Sequence, residues 1–294
     1  MMTDQFEMAM PEPAPFKPQL IKWVGNKQRF APKIISLFPD DSKTYFEPFL
    51  GSGGVLGTLS PKYAVASDIL RPLMDIWFAL RNEPDELISW YANRRRDLET
   101  HNEVVKRYAE VLANFNAHPN GADFVFLTRS CYGGVVRFRK ADGGMSTPCG
   151  AHMPISSDSF AKRVRVWHER VLGTDFYCQD YRETFEMAAA GDLIYCDPPY
   201  SDSQSILYGA QRFDLSELFE AIDKAKSRGV RVALSIDGSK KSGLKKILLD
   251  YPRGMFETEA AITVGRSMLH RFQMGGESLE GDVVKDRLLL TYTI

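Results

Sequence analysis

The sequence predicts an α/β fold, an open and mostly parallel sheet with helices between its strands, interrupted by a mostly helical insert. Three observations lead there. The stretches 17–83 and 172–294 alternate short β-prone runs with segments of helical spacing. Residues 84–171 lose that alternation and read as successive helices. Two apolar strands end in turns of unusual composition, FLGSGG and DPPY, at the strand ends where open α/β sheets hold ligands. A chain of 294 residues is long enough for one large domain or for one core carrying an insertion.

In chain order, residues 1–16 combine Asp4, Glu7 and Glu12 with three prolines and show no period that could bury a face, so they read as a disordered tail. A loop at KWVGNK precedes a helix over RFAPKIISLF, a strand at TYFEPF, a glycine turn with a short helix, a strand at YAVAS and a helix from Arg71. In the insert, PDELISWYANRRRDLE, NEVVKRYAEVLANF and DFVFLTRS have helical spacing. The following YGGVVRFRKADGGMSTP sets glycine pairs on either side of the β-prone VVRFR, which predicts a hairpin or extended loop. Strands resume at DFYCQ, DLIYC and VRVALSI, separated by helices over RETFEMAAA and LSELFEAIDKAKS. After the glycine-rich MGGESLEG, the apolar DRLLLTYTI should be a last strand paired antiparallel with a neighbour.

Composition narrows the classes of function. Lys and Arg number 37 against 38 Asp and Glu, so the chain as a whole has no field that attracts polyanions, and a nucleic-acid surface must be local. Such a concentration exists between Arg129 and Arg170, where eight basic residues stand against three acidic ones. No apolar run is long enough for a membrane span, and the N-terminus has no export signal. Cys131, Cys149, Cys178 and Cys196 form no CxxC pair, which fits a reducing cytosol, and the five histidines show no metal-ligand spacing, so no metal is expected.

Three motifs carry chemistry. In Glu47-Pro48-Phe49-Leu50-Gly51-Ser52-Gly53-Gly54 a strand runs into a glycine turn, and Asp68 follows Gly51 by seventeen residues, at the end of the next strand. That spacing suits a nucleoside site whose carboxylate accepts from ribose hydroxyls. The glycines alone fit a tight turn equally well, with Asp68 as a helix N-cap. In Asp197-Pro198-Pro199-Tyr200 the prolines fix the backbone and remove two N–H donors, leaving carbonyls beside a carboxylate. Such an acceptor-only cluster suits an NH2 group, with Tyr200 as a stacking face; the plainer alternative is a proline turn with a surface tyrosine. Lys22-Trp23-Val24-Gly25-Asn26-Lys27 offers an aromatic ring and charge, or simply a turn with a buried tryptophan.

These residues, in this order, resemble the alpha group of DNA N6-adenine methyltransferases, which includes the DNA adenine methylases. KWVGNK is similar to that family's KWxGGK, FEPFLGSGG to its EPFxGxG, Asp68 to its ribose-binding acid, DPPY to its catalytic tetrapeptide, and TRSCYGGVVRFRKADGGMSTPCG to its recognition hairpin, NGxxR…PFG. The sequence departs from the pattern at Asn26, which an αL position would accept, at Gly133 in place of asparagine, and at Cys149 in place of phenylalanine.

The resemblance implies a Rossmann-like S-adenosylmethionine-dependent methyltransferase fold, with residues 17–83 and 172–294 as catalytic domain and 84–171 as DNA-recognition domain. It implies transfer of a methyl group from S-adenosyl-L-methionine to N6 of an adenine flipped out of double-stranded DNA. Asp197, Pro198, Pro199 and Tyr200 would hold the base. Trp23, Gly25, Lys27, Phe49, Gly51, Gly53, Asp68, Ile69, Asp180 and Tyr181, with Asp197, would meet the methyl donor. Arg129, Tyr132, Gly134, Arg137, Arg139 and Lys140 would meet DNA, Arg137 as a guanine reader. The resemblance also allows a cognate restriction endonuclease as partner, a monomer or weak dimer, and a cytoplasmic site of action in a bacterium or phage-infected cell. The rivals are an RNA methyltransferase acting on an exocyclic amine and a DNA-binding relative without turnover.

Overall fold

The structure, a computed structural model, describes residues 16–199, 213–237, 251–265 and 284–294. Seven strands form one sheet: β1 (Tyr45–Glu47), β2 (Ala64–Asp68), β3 (Thr174–Cys178), β4 (Leu193–Cys196), β5 (Arg231–Asp237), β6 (Thr258–Gly265) and β7 (Val284–Leu290), in the order β3-β2-β1-β4-β5-β7-β6. The first five are parallel to one another, with Tyr45 opposite Ala64 and Leu193, and Leu193 opposite Arg231. β7 runs antiparallel between β5 and β6, as DRLLLTYTI predicts. This is the Rossmann-like α/β architecture that the resemblance implies, with one antiparallel strand slotted in near the edge.

Strand alternation divides the core into two layers. Tyr45, Ala64, Ala66, Leu193, Tyr195 and Leu288 point to one face; Phe46, Val65, Ile194, Cys196, Val232 and Leu289 point to the other. Both sets are buried, which explains why these strands read as continuous apolar runs. The second face is covered by α8 (Tyr181–Met187) and α9 (Leu215–Ser227), through Phe185, Leu218 and Ile222. The first is covered by α1 (Ala31–Ile35), α2 (Gly54–Leu59) and α3 (Arg71–Asn82).

Residues 84–170 add α4 (Pro84–Arg95), α5 (His101–Ala117), α6 (Gly121–Ser130) and α7 (Ser157–Arg170). Thr100 and Glu103 form a reciprocal capping box at the start of α5. These helices belong to the same hydrophobic cluster as the first sheet face: Trp167 of α7 lies edge-on to Trp77 of α3 at 5.5 Å, and Trp77 stacks on Phe176 of β3.

Some local expectations change. The helix predicted over RFAPKIISLF is only Ala31–Ile35, because a proline-led helix of one turn is followed directly by turns at Ser36–Phe38. β6 lies outside the strands read from the sequence, although TEAAITVG contains the β-prone AAITV; it pairs antiparallel with β7 at the edge of the sheet. Phe16, read as tail, is buried against Trp167 at 5.0 Å with the Arg170 guanidinium over its ring. Of the two forms expected for the segment after α6, hairpin or extended loop, it takes the loop, with two isolated antiparallel bridges, Cys131 to Cys149 and Phe138 to Met145.

Candidate active site

The C-terminal ends of β1, β2 and β4 open into one cavity of about 330 Å³. Three sequence-separated motifs meet there: Trp23, Gly25 and Lys27; Phe49 and Gly51; and Asp197, Pro198 and Pro199. Asp68, Ile69, Asp180 and Tyr181 complete the predicted set lining it. Gly53 does not line it. It caps α2 at φ 60°, and a Cβ there would come to 2.7 Å from the Trp77 ring, so this glycine shapes the turn from behind. Tyr200 lies outside the described residues.

Each wall has a local cause. Lys27 is 6 % exposed and its Nζ bonds Asp197 Oδ1 at 2.8 Å, joining the first motif to the last across the cavity. Asp68 accepts from Gly51 N–H at 3.1 Å and from Leu70 N–H at 3.0 Å, tying the glycine turn to the end of β2. It does not cap α3, whose N-cap is Leu70, so the plain N-cap reading falls. Burial raises its pKa, against the opposing pull of those N–H bonds. The positive backbone angle expected of Asn26 belongs to Gly25 instead, at φ 79°. Asn26 accepts from Gln28 N–H at 2.7 Å, a side-chain turn that needs no αL geometry.

An aromatic wall comes from Phe49 stacked on Tyr181 at 5.1 Å, with Phe213 edge-on to both. Asp180 caps α8 in a capping box and pairs with Arg182, which reaches on to Glu217. Burial pushes the Tyr181 hydroxyl up to about 12.

Glu47, Phe213 and Glu217 are among the lining residues to which the sequence assigned no role. Glu47 is 3 % exposed and accepts from Tyr45 Oη at 2.6 Å and Leu56 N–H at 3.0 Å. Burial, opposed by the Tyr45 bond and reinforced by Asp197, pushes its pKa up to about 8. Its signal was available: a carboxylate inside the apolar strand YFEPF. Phe213 and Glu217 gave none, because only the crossover to α9 brings them to the cavity.

The residues expected at DNA divide. Tyr132, Arg137, Arg139 and Lys140 are exposed on the 131–149 loop, Arg139 held to Asp142 by two bonds of 2.8 Å. Gly134 is buried, and a Cβ there would come to 2.9 Å from Lys22 Cβ, so it lets the loop pack on the Lys22–Trp23 backbone. Arg129 is corrected outright. It is 3 % exposed and donates to the carbonyls of Gln19 at 3.0 Å and Leu20 at 2.9 Å, which turns its guanidinium inward, away from any phosphate. Burial lowers its pKa to about 10. On α7, Arg163 donates to Gln19 O, Arg165 pairs with Asp85, and Arg170 bonds Gly57 O and Thr58 O, so much of the sequence's local positive charge is tied to the protein itself.

The chain is similar to the DNA adenine methylase of Vibrio cholerae, 28% identical over 73% of this chain and 79% of the relative. It is equally similar to the type II methyltransferase M.MjaIII of Methanocaldococcus jannaschii, at 28% over 73% and 82%. The retron Ec67 DNA adenine methylase of Escherichia coli is 30% identical over 74% of this chain and 76% of its own length. A family model for the D12 class N6 adenine-specific DNA methyltransferases matches residues 23–262, across the cavity and both halves of the sheet, and the chain belongs to that family of adenine-specific DNA methyltransferases.

Proposed function

We propose that the methyl donor is S-adenosyl-L-methionine, held in the 330 Å³ cavity, and that the acceptor is N6 of an adenine turned out of double-stranded DNA onto the Asp197-Pro198-Pro199 rim. The observation that carries this reading is the Lys27–Asp197 ion pair, which ties the Lys22–Lys27 loop to the proline turn across the cavity. The lining fits the donor chemically. Asp68, Asp180, Asp197 and Glu217 outnumber Lys27 and Arg182, as a cationic ligand with a diol and an ammonium requires, and the Phe49–Tyr181 stack suits a purine. Trp23, the Phe49–Gly51 turn, Asp68 with Ile69, and Asp180 with Tyr181 would hold it.

When bound, S-adenosyl-L-methionine supplies a methyl group on a sulfonium centre. The protein's part is alignment. The N6 lone pair is delocalised into the purine ring, so acceptors that take both N6 hydrogens favour a pyramidal nitrogen whose lone pair faces the incoming carbon. Asp197 and the Pro198 carbonyl serve as those acceptors, and the two prolines hold the geometry without N–H donors of their own. Lys27 orients the carboxylate by occupying Oδ1. A carboxylate is a weak base toward neutral aminopurine but takes a proton readily once the nitrogen is methylated.

Residues 17–83 and 172–294 act as the catalytic part and 84–171 as the recognition part, with Tyr132, Arg137, Arg139 and Lys140 of the exposed loop toward DNA. The enzyme works in the cytoplasm of a bacterium or phage-infected cell, as a monomer or weak dimer, and a cognate endonuclease is a partner to be sought beside its gene. The test is transfer of labelled methyl from S-adenosyl-L-methionine to plasmid DNA and to ribosomal RNA. Asp197→Asn is expected to lose about 10²–10⁴-fold in rate on plasmid while still binding the donor by calorimetry. Undiminished turnover by that variant, or label only in RNA, would overturn the assignment.

A further inference from the structure

We propose that Cys131 and Cys149 are a modification site, a reversible disulfide clasp at the neck of the 131–149 loop, closed by exchange with a low-molecular-weight disulfide. The two residues stand directly opposite each other in an isolated antiparallel bridge. The bonds beside them run from Tyr132 N–H to Pro148 O at 2.9 Å and from Gly150 N–H to Ser130 O at 2.8 Å. The cysteines therefore occupy a non-hydrogen-bonded position of the bridge, where facing Cα atoms come to about 4.5 Å and side chains leave on the same face. Disulfides span Cα separations of about 4.4–6.8 Å, so the backbone already meets the requirement. Both thiols are free, and their Sγ atoms bond neighbouring carbonyls of the same turn, Cys131 to Thr128 and Cys149 to Ser130. Cys178 and Cys196 lie in β3 and β4 of the sheet.

Exposure sets the order of events. Cys131 is 2 % exposed, whereas Cys149 is half-buried and meets the incoming reagent. The Cys149 thiolate attacks one sulfur of the small disulfide, forming a mixed disulfide and releasing one small thiol. The Cys131 sulfur, losing its proton, then attacks Cys149 sulfur and releases the second. Two protein thiols are oxidised and one small disulfide is reduced to two thiols, so atoms and electrons balance. Burial raises both thiols, Cys131 to about 12, which makes closure slow at neutral pH and faster as pH rises.

Closure would lock a neck whose inner half is already tied: Thr147 Oγ1 accepts from Arg137 N–H at 3.0 Å and donates to Val135 O at 2.7 Å, and Asn116 bonds both Met145 N–H and Met145 O. The side chains of Arg137, Arg139 and Lys140 face solvent, so the loop's outer part is where opening remains to be suppressed. A clasp at the neck suppresses local opening of this segment without touching the cavity.

The experiment incubates the full chain with oxidised glutathione at mildly alkaline pH, blocks remaining thiols, and maps peptides without reduction. The expected result is one peptide pair joined through Cys131 and Cys149, a loss of two hydrogens in intact mass, and several-fold slower tryptic cleavage after Arg137, Arg139 and Lys140. Dithiothreitol should reverse all three. Cys149→Ser, at the more exposed position, should cleave at the same rate with and without oxidant, and Cys149→Ala should behave alike. Blocking of both cysteines despite the oxidant, linkage to Cys178 or Cys196, or unchanged cleavage of the cross-linked chain would each overturn the proposal.

Discussion

Glu47 is where a single side chain departs furthest from its behaviour in water. Buried beneath the cavity and held near a pKa of about 8, it keeps its proton at neutral pH, whereas in the unfolded chain it titrates near 4.5. A raised carboxyl pKa means that the folded state binds more protons than the unfolded one between those limits. The stability that the neutral carboxyl contributes is therefore complete below pH 4.5 and is lost as pH climbs through about 8. Glu47→Gln replaces it with a neutral group that can still accept from Tyr45 Oη and Leu56 N–H. The variant is expected to hold a nearly constant Tm from pH 6 to 9 while the parent's declines; equal declines in thermal scans would show that Glu47 is not the group responsible.

Among the elements, the segment 16–22 does most to join the recognition helices to the cavity. Its carbonyls receive four side chains from elsewhere: Gln28 Nε2 and Trp167 Nε1 at Pro18 O, Arg163 Nη1 at Gln19 O, and Arg129 Nη1 at Gln19 O and Leu20 O. The chain then enters the Lys22–Lys27 loop directly. Arg129→Met keeps the stem and removes the donors, leaving Leu20 O without its side-chain partner while Gln19 O keeps Arg163, a cost of about 1–3 kcal/mol. Urea unfolding measures it; a parental midpoint combined with weakened DNA binding would return Arg129 to the DNA surface. The strands and long helices were legible because period two and period 3.6 are written directly in apolar spacing, and the cavity was legible because strand ends carry FLGSGG and DPPY. What was not legible depends on partners distant in sequence. Arg129 reads as a cation until Gln19 and Leu20 fold over it, and Glu217 joins the cavity only through the crossover to α9.

At the scale of the molecule, one hydrophobic cluster runs from the sheet through α3 into α4–α7, with Tyr91 stacked on Phe160 and Trp167 against Trp77 as its joints. Helices that share a core in this way should melt with it, so tryptophan fluorescence and far-ultraviolet circular dichroism are expected to report one coincident transition, and separated transitions would show the insert to be autonomous. The same folding redistributes charge. Of the eight basic residues between Arg129 and Arg170, Arg129, Arg139, Arg163, Arg165 and Arg170 are engaged within the protein. The field left for DNA is thus carried by few side chains, chiefly on the loop after Cys131, and their roles should be separable. Arg137→Ala is expected to relax choice at one base pair by about 1–3 kcal/mol, as loss of a base-edge contact does. Lys140→Ala should weaken all sequences alike and reduce the slope of log affinity against log salt by about one. Arg165→Ala, whose partner is Asp85, should change neither quantity. Binding titrations at several salt concentrations on cognate and single-substituted duplexes distinguish these outcomes. A large salt-slope change from Arg165→Ala, or a sequence-independent loss from Arg137→Ala, would move the DNA surface off the loop and onto α7.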